Sequence, residues 1–121
     1  MEFRQLKNKT TNPQKNLEVF TCPENIIKIA FASNELTSLC PITGQPDFNQ
    51  VEIEYAPKEH CLETKSLKLY LWHFRDKGMF AEMLAAAIAQ DIYTAVQPQY
   101  CQVVIRQQTR GGITTEVVAR C

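Results

Sequence analysis

Cys40 and Asp47 stand seven residues apart in the stretch LCPITGQPDFN. The prolines and the glycine between them can fold that stretch back on itself and bring a thiol beside a carboxyl group. A thiolate is a strong nucleophile, and a neighbouring acid can give a proton to whatever the thiolate attacks. A plainer structure is also open to these residues: a small buried cysteine and an aspartate in a turn.

Three further groups have side chains suited to binding. Lys65, Ser66 and Lys68 stand where an apolar helical pattern begins, in ETKSLKLYLWHFR. A helix N-terminus flanked by lysines suits an anion, although an ordinary solvated face looks the same. Phe80 and Glu82 open a second apolar pattern across Ala81. There a carboxylate could accept hydrogen bonds from a purine-like ring, and the aromatic ring could stack on it; an acid in a first helical turn is also favourable without any ligand. Arg110-Gly111-Gly112 reads as a tight turn that leaves a cation available to phosphate. No G-x-G-x-x-G fingerprint occurs, so a dinucleotide would not be held in the Rossmann manner.

The elements that must position these residues follow from periodicity. Residues 25–32 (NIIKIAFA) read as a strand, and residues 33–49 as a long loop rich in turn formers. Residues 50–55 alternate, with Val51, Ile53 and Tyr55 on one face, as in a half-buried strand. Leu67, Tyr70, Leu71 and Phe74 fall at helical spacing over residues 66–75, with Gly78 as the expected C-terminal cap. A second helix is expected over residues 79–95, ended by Pro98. Residues 101–106 and 113–119 read as strands flanking the Gly111-Gly112 turn. The order β-β-α-α-β-β suggests an α+β fold, an antiparallel sheet with two helices on one face.

Composition sets outer limits. The chain has 121 residues, enough for one core, with a polar arm expected over residues 1–16 and a single domain over 17–121. Thirteen basic and thirteen acidic residues cancel, which gives no electrostatic case for nucleic acid as a partner. No apolar run approaches the ~18 residues of a membrane span, and no secretory h-region is visible, so a cytoplasmic location is expected. The five cysteines, widely spaced and with no C-x-x-C pair, fit neither a zinc site nor a disulfide framework. Reduced thiols and no metal are the expectation.

Taken together, TSLCPITGQPDFN, ETKSLKLYLWHFR, a helix opening F-x-E and RGGI occur in an order and spacing that resemble the NADPH-dependent 7-cyano-7-deazaguanine reductases of queuosine biosynthesis, of the short, single-module kind. The resemblance runs from about Thr37 to Ile113. It implies the tunnelling fold, whose element order is the one read above. It also implies Cys40 as the nucleophile that forms a thioimide with a nitrile, and Asp47 as proton donor. Leu62, Glu63 and Thr64 match the substrate-contacting segment, Glu82 the carboxylate that reads the deazaguanine edge, and Phe80 its aromatic neighbour. Lys65, Ser66 and Lys68 match the stretch linked to NADPH, with Arg110 a further candidate for that cofactor. Self-association into rings, with five chains per ring and rings stacked in pairs, is implied too, with sites between subunits.

The chain departs from the pattern at Ala81, where the family usually has a histidine whose side chain touches substrate, so here only the backbone is left to line the pocket. Thr64 replaces Ser or Leu. An amidine-forming relative that uses the same thioimide, and a non-catalytic module for a purine-like ligand, are the alternative readings.

Overall fold

The computed structural model describes residues 14–121. Of the arm expected over residues 1–16, residues 1–13 lie outside the described residues. The elements run β1 (Val19–Thr21), β2 (Ile29–Leu39), β3 (Pro46–Ala56), β4 (His60–Leu62), α1 (Thr64–Trp72), a short 3-10 helix (His73–Asp76), α2 (Ala81–Val96), β5 (Tyr100–Arg110) and β6 (Ile113–Arg120).

Four strands form the main antiparallel sheet in the order β2-β3-β5-β6. Val51, Ile53 and Tyr55 of β3 and Val103 and Ile105 of β5 alternate onto one buried face. Both helices cover that face: Leu67, Tyr70 and Leu71 of α1, and Leu84, Ile88, Ile92 and Val96 of α2, complete the core. The opposite face carries charge, and Arg106 bridges Glu52 on β3 and Glu116 on β6. The sequence pattern thus yields an α+β sheet with two helices on one side.

The structure corrects four expectations. Residues 33–49 are mostly strand, because β2 continues to Leu39 past a bulge between Ser33 and Leu36, and β3 already begins at Pro46. Turn-forming residues inside a strand are tolerated where a bulge or a sheet edge accepts them, and β2 is an edge. The second is the small ladder of β1 on β4, which was not foreseen because each strand has only three residues. Gly78 is not a left-handed helix cap: α1 ends at Trp72, the 3-10 turn follows, and Gly78 bridges Leu39 instead. Finally, the thiols are not all reduced, since Cys101 and Cys121 are joined as a disulfide. The β5–β6 register pairs Gln102 with Arg120 and so places the two cysteines opposite each other, with Cα atoms 5.3 Å apart.

Cys61 is buried, and burial pushes its thiol up to about 11, with a smaller contribution from the neighbouring Cys22. Gln97 closes α2 in the left-handed conformation just before Pro98. Gly111 and Gly112 both take positive φ, 59° and 79°, in the β5–β6 turn, a conformation that glycine adopts without strain.

Candidate active site

The six-residue connection from β2 to β3 carries Cys40. Its backbone is a closed turn: the Cys40 N–H donates to Gln45 O, and the Gly44 N–H donates to Cys40 O, both at 2.8 Å. Gly44 takes φ 74° to make that return possible. The thiol is drawn down to about 7, chiefly by a hydrogen bond from the Thr43 hydroxyl, then by the backbone N–H groups of Thr43 and Ile42. The Arg110 guanidinium adds the smallest pull. A thiol at this level is substantially ionised at neutral pH.

Asp47 is the second residue of β3 and pairs with Ser38 of β2. Its carboxylate is 5% exposed and forms an ion pair with the guanidinium of Arg110 from the far end of β5. Sequence reasoning associated Arg110 with cofactor and did not link it to Asp47. That link depends on the β3–β5 register, which local spacing does not reveal. Asn49, two residues on from Asp47 and therefore on the same face, is 2% exposed and accepts from Gln107 Nε2 at 3.2 Å. The alternation Asp47-Asn49-Val51-Ile53-Tyr55 is the sequence signal that would have extended the strand and revealed this buried polar end.

Phe80 and Glu82 lie at the same end of the molecule. The Leu39 N–H donates to Lys77 O at 2.8 Å, and the Met79 N–H donates to Leu39 O at 3.1 Å. The residue before Cys40 is therefore held to the segment that leads into α2. Phe80 is the N-cap residue of α2, and both it and Glu82 are exposed, whereas Ala81 between them is buried in the core.

Leu62, Glu63, Thr64, Lys65, Ser66 and Lys68 lie elsewhere. Leu62 is buried at the end of β4, where its N–H donates to the Tyr55 hydroxyl at 2.8 Å. Glu63 caps α1, accepting from the backbone N–H groups of Lys65 and Ser66, each at 2.8 Å. Ser66 is fully buried: its hydroxyl donates to Glu63 O and accepts from the Glu18 N–H. Its position is structural, holding β1 to the start of α1. Thr64, Lys65 and Lys68 line a cleft of about 550 Å³ between α1 and the β2–β3 edge, with Phe31, Ile53, Leu67, Leu71 and Trp72 supplying an apolar wall. Apolar walls with two cations at the rim fit the flat rings and phosphates of a dinucleotide.

The two groups are far apart. The cleft is lined on β2 by residues between Phe31 and Glu35, and Cys40 follows the far end of that strand. At ~3.3 Å per residue the gap is roughly 15 to 30 Å. One chain thus presents two half-sites: a thiol with an acid and an exposed carboxylate past the C-terminal end of β2, and an apolar cleft with lysines along residues 31–35 of that strand.

Three comparisons bear on this arrangement. A family model described as "QueF-like protein" matches residues 46–121. An NADPH-dependent 7-cyano-7-deazaguanine reductase of Anaeromyxobacter sp. is 46% identical over 112 residues, covering 91% of this chain and 92% of the relative. A protein of the same name from Alkalilimnicola ehrlichii is also 46% identical, covering 91% of this chain and 87% of that one. Among solved structures, the apo form of the archaeosine synthase QueF-Like superimposes with a TM-score of 0.70 at 25% identity, over 82% of this chain and 95% of that one.

Proposed function

Because the chain belongs to the QueF-like family of NADPH-dependent 7-cyano-7-deazaguanine reductases, we propose that it reduces the nitrile of 7-cyano-7-deazaguanine to the aminomethyl group, in queuosine formation. The observation that carries the reading is the lowered Cys40 thiol in a loop that also delivers Asp47 to a buried position. The greater similarity to reductases, 46% identity against 25% for the archaeosine synthase, favours reduction over amidine formation. So does the pair of lysines on the cleft.

The mechanism starts from a weak electrophile. The Cys40 thiolate adds to the nitrile carbon, one π bond opens, and the nitrogen takes a proton from Asp47, which leaves a covalent thioimide. A bound reduced dinucleotide would supply hydride to that carbon, one from each of two successive molecules; the Cys40 sulfur leaves after the first, and a second proton on nitrogen, from solvent, completes the primary amine. Lys65 and Lys68 would hold its phosphates, and the apolar wall of the cleft its rings. Glu82 accepts hydrogen bonds from the deazaguanine edge, with Phe80 stacked beside it. Ala81 is 4% exposed and has no titratable group, so proton delivery falls on Asp47.

The separation of the two half-sites argues that a working site forms between chains, the Cys40 end of one copy meeting the cleft of another. Self-association in rings, as pairs of pentamers, fits that requirement. No helix among the described residues is long and apolar enough to cross a membrane, and the reading includes a cytoplasmic location with no nucleic-acid partner.

The test is to mix the purified protein with 7-cyano-7-deazaguanine and NADPH and follow the loss of nicotinamide absorbance, with Cys40→Ala as control. Consumption of about two equivalents of NADPH per nitrile, dependent on Cys40, is expected from the electron count. A mass increase on Cys40 without NADPH consumption would turn the reading toward amidine formation, and neither signal would leave a binding module.

A further inference from the structure

Asp47 sets a difficulty for this chemistry. An acid must hold a proton before it can deliver one, yet this carboxylate is paired with Arg110 in a nearly closed environment. A contacting guanidinium favours the ionised form and opposes protonation. The two partners differ in freedom. Asp47 is fixed within β3, paired to Ser38. Arg110 is the last residue of β5, 39% exposed, followed by two glycines at positive φ and adjoining a register shift between β5 and β6. A long side chain on such a turn can leave its partner without disturbing the sheet.

Few other charges bear on Asp47. The neighbouring strand offers the Ser38 hydroxyl, and β3 itself the Asn49 amide, both neutral. The turn offers the Cys40 thiol, which Arg110 also influences. The segment leading into α2 contributes Lys77 and Glu82, both exposed to solvent. Arg110 is therefore the charge that governs the Asp47 carboxyl group.

We propose that Arg110 is a positioning residue with two resting places: it holds Asp47 as an ion pair in the free protein, and it moves to a phosphate of the dinucleotide when that binds, releasing Asp47 to take up a proton. This rests on the reductase reading. Phosphate competes well for a guanidinium because it accepts the same two-pronged hydrogen bonding as a carboxylate. The proton balance closes with one proton from solvent. With Arg110 on Asp47, the turn holds Cys40 largely as thiolate and the carboxylate stays ionised. With Arg110 withdrawn, the carboxyl group takes up a solvent proton, while the Thr43 hydroxyl and the backbone N–H groups of the turn still hold the thiolate. The thiolate then adds to the nitrile carbon and the nitrogen takes that proton from Asp47, with no net oxidation or reduction.

The experiment follows adduct formation on Cys40 by intact mass over a pH series, using 7-cyano-7-deazaguanine with and without NADP+, which cannot give hydride. In the wild type, NADP+ is expected to speed adduct formation about tenfold near neutral pH and to move the alkaline limb up by about one unit, the two being the same energy. Arg110→Gln should show the shifted limb without NADP+ and gain nothing from adding it. Arg110→Lys keeps a cation on the turn but loses the two-pronged donor, so its response should be smaller than that of the wild type. Identical pH limbs in wild type and Arg110→Gln would overturn the proposal, as would a full NADP+ response in Arg110→Gln. In both cases an adduct still forms, so the reductase reading stands. Absence of any wild-type adduct would overturn both.

Discussion

The Met79 N–H donates to the carbonyl oxygen of Leu39 at 3.1 Å, and this bond ties the approach to α2 to the residue before Cys40. With the Leu39–Lys77 bond and the bridge between Leu39 and Gly78, it fixes Cys40 relative to Phe80 and Glu82 through backbone alone. Gly78 is not needed there for a left-handed turn, and a Cβ built on it would meet Pro41 Cα at 3.7 Å, an ordinary contact. Gly78→Ala is therefore expected to change stability by less than about 1 kcal/mol, measured by urea unfolding. A larger loss would mean that the close backbone approach is tighter than this contact implies.

The lowered Cys40 thiol depends first on Thr43. Thr43→Val removes the hydroxyl that donates to the sulfur, so the thiol should titrate above 7. Alkylation of Cys40 by iodoacetamide, resolved by peptide mass, should then slow at pH 7 and match the wild type at alkaline pH. An unchanged midpoint would assign the shift to the backbone donors instead.

Ser66 and the two lysines should separate cleanly. The Ser66 hydroxyl is buried with a donor and an acceptor satisfied, so Ser66→Ala should cost about 1–3 kcal/mol by removing the bond to the Glu18 N–H and one of the two bonds to Glu63 O, which keeps the Leu67 N–H. Lys65→Ala and Lys68→Ala should leave the unfolding midpoint nearly unchanged and raise the KM for NADPH, more strongly at low salt. A KM effect in Ser66→Ala without loss of stability would return that serine to the cofactor.

How much of this could be read from sequence differs by residue. The helices were legible because Leu67, Tyr70, Leu71 and Phe74, and likewise Leu84, Ile88 and Ile92, repeat on one face. Cys40 and Asp47 were legible because a thiol and an acid flank a turn. The Asp47–Arg110 pair was not, since it joins residues 63 apart in the chain through the order of the strands. Nor was the disulfide, since the partner of Cys101 is set by the hairpin register. The burial of Ser66 was not legible either, since it comes from the Glu18 backbone just before β1, a strand of three residues that is too short to announce itself. Resemblance supplied roles for Leu62 and Glu63, while the structure shows what they do locally: Leu62 bonds Tyr55, and Glu63 caps α1.

Two buried tyrosines predict an alkaline limit to stability. Tyr55 is pushed up to about 12, chiefly by burial. Tyr70, whose hydroxyl donates to Asp91 Oδ2 at 2.6 Å, is raised further, by burial and then by that bond. A folded-state pKa above the unfolded value of about 10 means that stability is complete below pH 10 and falls as pH rises through the folded values. Urea unfolding at pH 9 to 12 should show this decline, and Tyr70→Phe should flatten it while costing about 1 kcal/mol at neutral pH. A decline of equal slope in Tyr70→Phe would assign it to other groups.

The distance between the half-sites gives the sharpest test of assembly. In one chain, Cys40 follows the C-terminal end of β2, whereas the lysine-rimmed cleft lies along residues 31–35 of that strand, roughly 15 Å or more away at ~3.3 Å per residue. Neither a Cys40→Ala chain nor a Lys65→Ala, Lys68→Ala double variant should turn over substrate well when alone. If each working site joins the thiol end of one copy to the cleft of its neighbour, co-expression of the two differently tagged variants should restore activity. Intact thiol ends would then meet intact clefts across some interfaces. Tandem purification through both tags isolates the mixed oligomers, and NADPH consumption reads the outcome. Restored turnover is expected. Mixed oligomers no more active than their parents would place thiol and cleft in one chain's site, and would require a hinge that brings the two ends of the sheet together.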